Sequence, residues 1–186
     1  DDGSVEGEGP MNPAPGFKKY PDHQLSTQPA RVRVRVEYKG ELIADTTSAV
    51  EMYETSTTGK IVAPVVYYVP RGDVQMQRLK RSEHRTHCPF KGDASYYSLN
   101  EGPQNAVWSY EAPYDEMTAI RGLLAFYPDK FEISASLLSQ RLVHGGEDLR
   151  RRAADIAAFL IGLLAREVAV HAPADHDCRI KPPGGQ

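Results

Sequence analysis

One stretch of the chain constrains the fold more than any other: residues 31–38, which read Arg-Val-Arg-Val-Arg-Val-Glu-Tyr. Because side chains alternate between the two sides of a strand, this run places three valines and a tyrosine on one face and the charged residues on the other. Lys39-Gly40 follows, a pair suited to a tight turn, and residues 41–46 are predicted to return as the hairpin partner. The sequence therefore predicts an antiparallel sheet that starts with this hairpin.

Further short strands are predicted at intervals of about ten residues, each rich in the β-branched and aromatic residues that favour strands. The predicted segments are 49–54, 65–69, 95–99, 106–110 and 123–127. Short helical turns are predicted at about 73–79 and within 113–120. The βαβ alternation of a doubly wound nucleotide fold is not seen in the sequence. We therefore expect a mainly β fold, a small antiparallel sandwich or barrel-like domain.

Composition divides the chain into three predicted parts. Residues 1–29 are rich in Pro and Gly and are predicted to be an extended arm, while residues 30–131 hold nearly all the aromatic side chains and are predicted to be the β domain. Residues 132–186 are predicted to be a C-terminal extension with a helix from about Asp148 to Val170 and a disordered end. The wide apolar face of this helix predicts packing on the β domain or on a second subunit, as a homodimer, with a membrane surface as a third option.

Charge and cysteine content limit the classes of function. The 22 basic and 25 acidic side chains give a net charge of −3, which argues against a dedicated nucleic-acid binder. The longest uncharged apolar run, residues 156–165, is too short for a membrane span, which needs about 20 residues. Cys88 and Cys178 do not make a disulfide framework and are too few for a four-cysteine zinc site. Together with the lack of a recognisable signal peptide, they favour a cytoplasmic protein.

Five blocks of sequence, in order, resemble a known family. They are Glu54-Thr55, Tyr67 to Val74, His84 to Tyr97, Trp108 to Tyr110 with Pro113, and Ile120 to Gly122 with Ala125 to Tyr127. Over about residues 11–131 the chain resembles the domain of unknown function 427 family. The resemblance implies a small, mainly β architecture similar to the β-tent folds, and the label sometimes given to the family implies nucleotidyltransferase activity. The paired Cys-x-x-Cys zinc motifs of β-tent folds are absent from this sequence, so no metal is expected and no cofactor is assigned.

A histidine and cysteine group lies in the most specific of these blocks. The thiolate of Cys88 could be a nucleophile whose pKa a nearby imidazole, such as that of His84, lowers. Alternatively, His84, His87 and Cys88 could ligate a metal with a third group such as Glu54 or Asp93. A cysteine followed by Pro and Phe is more often a small buried hydrophobic residue, which is the third interpretation.

Charged residues in the other blocks are candidates for acid–base chemistry and for anion binding. Glu54 is a candidate general base, or the partner of Arg71 in a buried ion pair. Arg71 and Lys91 are candidate ligands of a carboxylate or phosphate, with a solvated lysine in a turn as the alternative for Lys91. The aromatic side chains expected beside them, lining a cleft or filling the core, are Tyr68, Tyr96 and Trp108.

The sequence predicts that five of these residues meet at one polar cleft that binds a small anionic molecule. They are Glu54, Arg71, His84, Cys88 and Lys91. For an enzyme, the catalytic groups would be Glu54, His84 and Cys88. One alternative is a nucleotidyltransferase, whose Mg²⁺ would need carboxylates such as Glu54, Asp73 and Asp93. The other is a non-catalytic interaction module that docks a partner through the C-terminal helix.

Overall fold

Ten strands run through the part of the chain that the computed structural model describes, residues 12–138. In chain order they are β1 (His23–Pro29), β2 (Val32–Tyr38), β3 (Glu41–Thr46), β4 (Val50–Ser56), β5 (Val66–Tyr68), β6 (Leu79–Cys88), β7 (Gly92–Leu99), β8 (Val107–Tyr110), β9 (Ala125–Phe126) and β10 (Glu132–Leu137). Within the same range, one short helix, α1 (Pro15–Lys19), precedes β1, and three 3-10 turns lie between strands, at Arg71–Asp73, Met76–Arg78 and Asp115–Ile120.

The strands form three antiparallel sheets, in the orders β1-β4-β5, β10-β2-β3 and β6-β7-β8-β9. Val69, which follows β5, and Leu124, which precedes β9, exchange two backbone hydrogen bonds of 2.7 and 2.9 Å, so the first and third sheets meet at this bridge. The predicted mainly β, antiparallel fold is confirmed. Within residues 12–138 the sheets do not close into a barrel.

The β2–β3 hairpin is present as predicted. The three valines of β2 are almost fully buried, and the residues between them are exposed. Lys39 and Gly40 both have positive φ, 52° and 77°, which is what a two-residue turn between twisted antiparallel strands requires. Local alternation and turn chemistry therefore suffice to specify this element.

Residues 12–29 differ from the extended arm that composition predicts. Strand β1 pairs with β4 along its whole length, from His23 opposite Ser56 to Pro29 opposite Val50. The backbone N–H of Gly16 in α1 donates to Pro89 at 2.8 Å, and a Cβ at Gly16 would lie only 2.6 Å from the Phe90 ring. The sequence does not predict this strand because its side chains are mostly polar and lack apolar alternation. Backbone pairing with β4 holds it in place.

Two further segments differ from the prediction. Residues 79–88 form β6, a ten-residue strand, where the sequence predicted only the end of a helical turn. Its charged and mostly exposed side chains suit an edge strand, and among the described strands it pairs only with β7. Residues 132–137 form β10 and pair with β2, so the β domain extends beyond the predicted boundary at residue 131. The predicted helix 148–170 lies outside the described residues.

An aromatic core lies between the sheet β1-β4-β5 and the sheet β6-β7-β8-β9. Its buried members are Met52, Tyr68, Cys88, Phe90, Ala94, Tyr96, Trp108, Tyr110, Met117, Ile120 and Ala125. Of the two positions expected for Tyr68, Tyr96 and Trp108, lining a cleft or filling the core, the structure shows the second, because all three belong to this core. Over the described residues, the structure contains no helix long and apolar enough to cross a membrane.

Candidate functional site

Two of the predicted site residues meet at the rim of the aromatic core. The Lys91 ammonium donates to Glu54 Oε1 at 2.7 Å, and Nε2 of His23 lies 3.1 Å from Glu54 Oε2. We call His23, Glu54 and Lys91 the buried ionic cluster, since their side chains are only 19%, 17% and 7% exposed. One ammonium and one imidazole thus share one carboxylate between the two sheets.

Strand geometry explains how these residues reach each other. On β4, Glu54 projects to the same side as Met52, which is buried in the aromatic core. Lys91 lies in the turn between β6 and β7, where Gly92 has a φ of +98°. A side chain at Gly92 would also crowd the backbone oxygen of Ala112, at 3.3 Å, so a glycine at this position lets the turn pack closely and aim Lys91 inward.

The electrostatics of the cluster fix the charge of Glu54. Burial raises the pKa of this carboxyl, but the hydrogen bond from His23 and the charge of Lys91 outweigh burial and lower the pKa to about 2. Glu54 is therefore ionised at neutral pH and is a weak base. The neighbouring hydroxyl of Tyr68 is fully buried, and burial raises its pKa to about 12 despite the charge of Lys91 and a hydrogen bond from Trp108.

The buried ionic cluster fits the structural interpretation of these residues better than the catalytic one. Lys91 neutralises Glu54 and is almost fully buried, so its charge is not offered to a ligand. The ionised Glu54 is already hydrogen-bonded on both oxygens. The observed partner of Glu54 is also Lys91, not the Arg71 proposed as one alternative from the sequence.

His84 and Cys88 do not form a pair. Both lie on β6, and residues four apart on a strand are separated by about 13 Å along its axis, whereas on a helix they would be neighbours. His84 is exposed and contacts the edge of the Tyr96 ring, with centroids 4.5 Å apart. Cys88 is buried in the aromatic core, which agrees with its interpretation as a small hydrophobic residue. The histidine between them, His87, instead contacts Asp93 at 2.6 Å on the surface.

Arg71 belongs to a second site, which we call the arginine cluster: Arg71, Arg81, Tyr97 and Glu111, with Ser95 and Ser109 beside them. Arg81 donates to Glu111 Oε2 at 2.8 Å and to Ser95 Oγ at 3.0 Å. Arg71 donates to the Tyr97 hydroxyl at 2.9 Å and lies 3.4 Å from Glu111 Oε1. The Tyr97 hydroxyl in turn donates to that oxygen at 3.1 Å. One carboxylate therefore accepts from two guanidinium groups and a phenol.

The two clusters lie on opposite faces of β7. Ser95 and Tyr97 project to the face that carries the arginine cluster, while Tyr96, between them, projects into the aromatic core. The predicted single cleft therefore separates into two sites. Glu54, Lys91 and Cys88 lie on the core side, and Arg71 lies across the sheet from them.

An open hollow of about 600 Å³ adjoins the arginine cluster. It is lined by Arg85, Thr86, His87, Asp93, Ser95, Glu111 and Ala112. Ser95 and Glu111 belong to both the hollow and the arginine cluster, so the charges of Arg71 and Arg81 act at its wall. A second hollow, of about 720 Å³, lies beside β3 and β10 and contains Arg33 together with Asp45 and Asp73.

Sequence reasoning missed three residues of the arginine cluster. Tyr97 falls within the blocks of family resemblance and Glu111 directly follows one of them, but nothing in their spacing showed that they meet. Arg81 carries no sequence signal at all, because it lies on the unrecognised strand β6. The register shift between Arg81 and Arg85 further hides their relation to β7.

Within residues 12–138, no group of three or more His, Cys, Asp or Glu side chains is placed to hold a metal ion. The carboxylates considered for Mg²⁺ have separate partners. Glu54 binds Lys91, Asp73 accepts from the Thr46 hydroxyl at 2.6 Å, and Asp93 contacts His87.

Comparison with known families matches residues 26–136 to a family with the short name NTP_transf_9, described as "Domain of unknown function (DUF427)". The match covers more than half of the chain and includes every residue of both clusters except His23. Among curated proteins, none matches the chain.

Proposed function

Because the chain belongs to the DUF427 family, whose description assigns no activity, we propose a function from the site itself: the protein binds a small carboxylate- or phosphate-bearing molecule in the hollow beside the arginine cluster. The observation that carries this proposal is the pair of guanidinium groups, Arg71 and Arg81, converging on the wall of an open polar hollow. It keeps the anionic ligand that the sequence predicted and moves its site away from Lys91.

The charge around the hollow favours an anion. Arg85 lines the hollow, and Arg71 and Arg81 contact Glu111 in its wall. These three arginines outnumber the two carboxylates there, those of Glu111 and Asp93. Guanidinium groups bind planar carboxylates and phosphates with two parallel hydrogen bonds. Counted in the same way, the second hollow has two arginines, Arg33 and Arg35, against two carboxylates, Asp45 and Asp73, and is the less suitable site for an anion.

Exposure separates the arginines from Lys91. The side chain of Arg81 is 49% exposed and that of Arg71 is 36% exposed, so a ligand can reach both from solvent. Ser95 lines the same hollow, and its hydroxyl, which accepts from Arg81 at 3.0 Å, can donate to a ligand.

Ligand titrations by calorimetry and thermal shift test the proposal with malonate, inorganic phosphate and ATP–Mg²⁺ as probes. We expect malonate or phosphate to bind the wild type and Arg81→Ala to weaken that binding about tenfold or more, since a charge-assisted contact is lost. Arg33→Ala is the matched control, because Arg33 also pairs with a carboxylate, Asp45, at 2.6 Å on another face. No binding of any probe, or equal weakening by both substitutions, would overturn the proposal.

The ATP–Mg²⁺ arm addresses the nucleotidyltransferase alternative, which the family's short name supports. Nucleotide binding that needs Mg²⁺ and is lost in Arg81→Ala would favour that activity over binding of a simple anion. Titration of ATP with no heat and no thermal shift would remove it.

The remaining expectations belong to the same proposal: a β-tent-like architecture, a cytoplasmic setting and a C-terminal helix that docks a second copy or another partner. The mass of the protein in solution, with and without residues 141–186, tests the docking role. An unchanged oligomeric state would argue against the interaction module and leave the anion site unaffected.

A further inference from the structure

We propose that Glu111 is an internal competitor of the ligand: its carboxylate takes the position on the arginine cluster that a ligand carboxylate occupies, and the two exclude each other. This inference rests on the proposed anion-binding function and narrows its ligand to carboxylates. The observation that carries it is that three side chains, those of Arg71, Arg81 and Tyr97, all donate to the one carboxylate of Glu111.

The contacts of Glu111 are those of a bound carboxylate. Oε2 accepts from Arg81 at 2.8 Å, and Oε1 accepts from the Tyr97 hydroxyl at 3.1 Å and lies 3.4 Å from Arg71. The donors therefore serve both oxygens of a planar group from separate directions. A carboxylate from solution can satisfy the same three donors with the same geometry.

The donors are held in place independently of Glu111. Nε of Arg71 donates to the backbone oxygen of Gly122 at 2.8 Å, and its guanidinium lies over the Tyr97 ring, 5.2 Å from the centroid. Arg81 is held by Ser95 Oγ at 3.0 Å. The pocket of donors thus persists when the carboxylate is exchanged, and such preorganisation lowers the free-energy cost of binding.

Glu111 itself can move aside. It directly follows β8, which ends at Tyr110, so its side chain can turn away without breaking the β7–β8 ladder. Its side chain is 37% exposed and lines the hollow. Partial exposure keeps its ion pairs weak, because water and salt screen them and compete for the same groups.

Asp45 provides a matched comparison on another face of the protein. It accepts two hydrogen bonds from Arg33, at 2.7 and 2.6 Å, and lies 3.8 Å from Arg35. Like Glu111, it is a carboxylate between two arginines. Unlike Glu111, it lies within a strand, β3, and its arginines project from the exposed face of β2 with no tyrosine beside them in the described contacts.

Calorimetric titration of malonate into the wild type, Glu111→Gln and Asp45→Asn tests the inference. Removing the competing charge is expected to tighten malonate binding about fivefold in Glu111→Gln, the fold-change that about 1 kcal/mol represents. Asp45→Asn is expected to bind malonate as the wild type does. Glu111→Ala serves as a second variant, and thermal unfolding of each variant checks that it is folded.

The outcomes separate this inference from the function on which it rests. Malonate binding that is unchanged or weaker in both Glu111 variants would overturn the competition and leave the proposed anion site standing. Equal tightening in Asp45→Asn would reduce the effect to net charge and overturn the inference as well. Failure of malonate, phosphate and ATP–Mg²⁺ to bind any of these proteins would overturn the proposed function together with the inference.

Discussion

The buried ionic cluster and the arginine cluster are built from the same kinds of groups, and their burial sets them apart. In both, one carboxylate receives two nitrogen-bearing side chains, at distances between 2.7 and 3.4 Å. Lys91 is 7% exposed and lies between two packed sheets, whereas Arg81 is 49% exposed and lies beside a hollow. The first arrangement completes the fold, and the second can exchange its partner with solvent.

The difference follows from the dielectric surroundings of the charges. A charge taken out of water loses its hydration and needs a fixed partner, so removal of either partner leaves an uncompensated charge. Near the surface, water replaces a lost partner at little cost. An ion pair that is expendable for stability is therefore free to serve in binding.

Breaking the buried pair should have the largest effect. Lys91→Ala leaves the Glu54 carboxylate buried without its cation, and we expect the free energy of unfolding to fall by about 3–5 kcal/mol. Urea denaturation measures it, with Lys80→Ala, an exposed lysine on β6, as the control expected to change nothing measurable. A loss below about 1 kcal/mol for Lys91→Ala would show that the buried ionic cluster behaves as a surface pair.

Acid should weaken the buried ionic cluster next. The pKa of Glu54 is about 2 in the folded chain and 4.5 in the reference state, so the unfolded chain takes up the proton first as pH falls. Ionisation of Glu54 therefore contributes about 3 kcal/mol to the free energy of unfolding. This contribution is complete above about pH 4.5 and is lost as pH falls towards 2. Unfolding measured across this range in the wild type and in Glu54→Gln tests the sign, since the variant should lack this component.

Labelling of Cys88 reports whether the aromatic core beside the buried ionic cluster opens to solvent. The thiol lies in the aromatic core next to the cluster, so a thiol reagent should modify it at least about a hundredfold more slowly in native protein than in urea. The measurement needs Cys178→Ser, so that Cys88 is the one thiol in the sequence. Native labelling as fast as in urea would contradict the burial of this region.

The smallest effect on stability is expected from the arginine cluster. Arg81→Ala should shift the midpoint of thermal unfolding by about 2 °C or less, because its carboxylate partner stays hydrated and keeps Arg71 and Tyr97. Differential scanning calorimetry of this variant beside Lys91→Ala compares the two clusters directly. A shift as large as that of Lys91→Ala would make the arginine cluster structural and remove the contrast between the two sites.

Sequence reasoning succeeded where one strand carries its own pattern. The β2–β3 hairpin, β7 and β8 were predicted because they combine apolar alternation or aromatic residues with turn signals. It failed at β1 and β6, whose side chains are largely polar or charged. These two strands are held by backbone pairing to β4 and β7, and side-chain periodicity does not predict such pairing.

The candidate site divides in the same way. That Glu54 and Lys91 lie close together was predicted, whereas their role as a closed pair depends on burial that only the packed sheets produce. His84 and Cys88 looked adjacent because they are four positions apart, but a strand separates what a helix would join. Arg81 and Glu111 meet across 30 residues of chain.

From residue order alone came the antiparallel β class, the family and the residue types available for anion binding, because alternation, turns and motif order are local properties of a chain. Tertiary structure alone decided which charged groups share a partner and which of them water reaches. Strand register places residues 30 to 40 positions apart side by side. The packing of two sheets then buries the ionic cluster, which stabilises the fold, and leaves the arginine cluster accessible to a ligand.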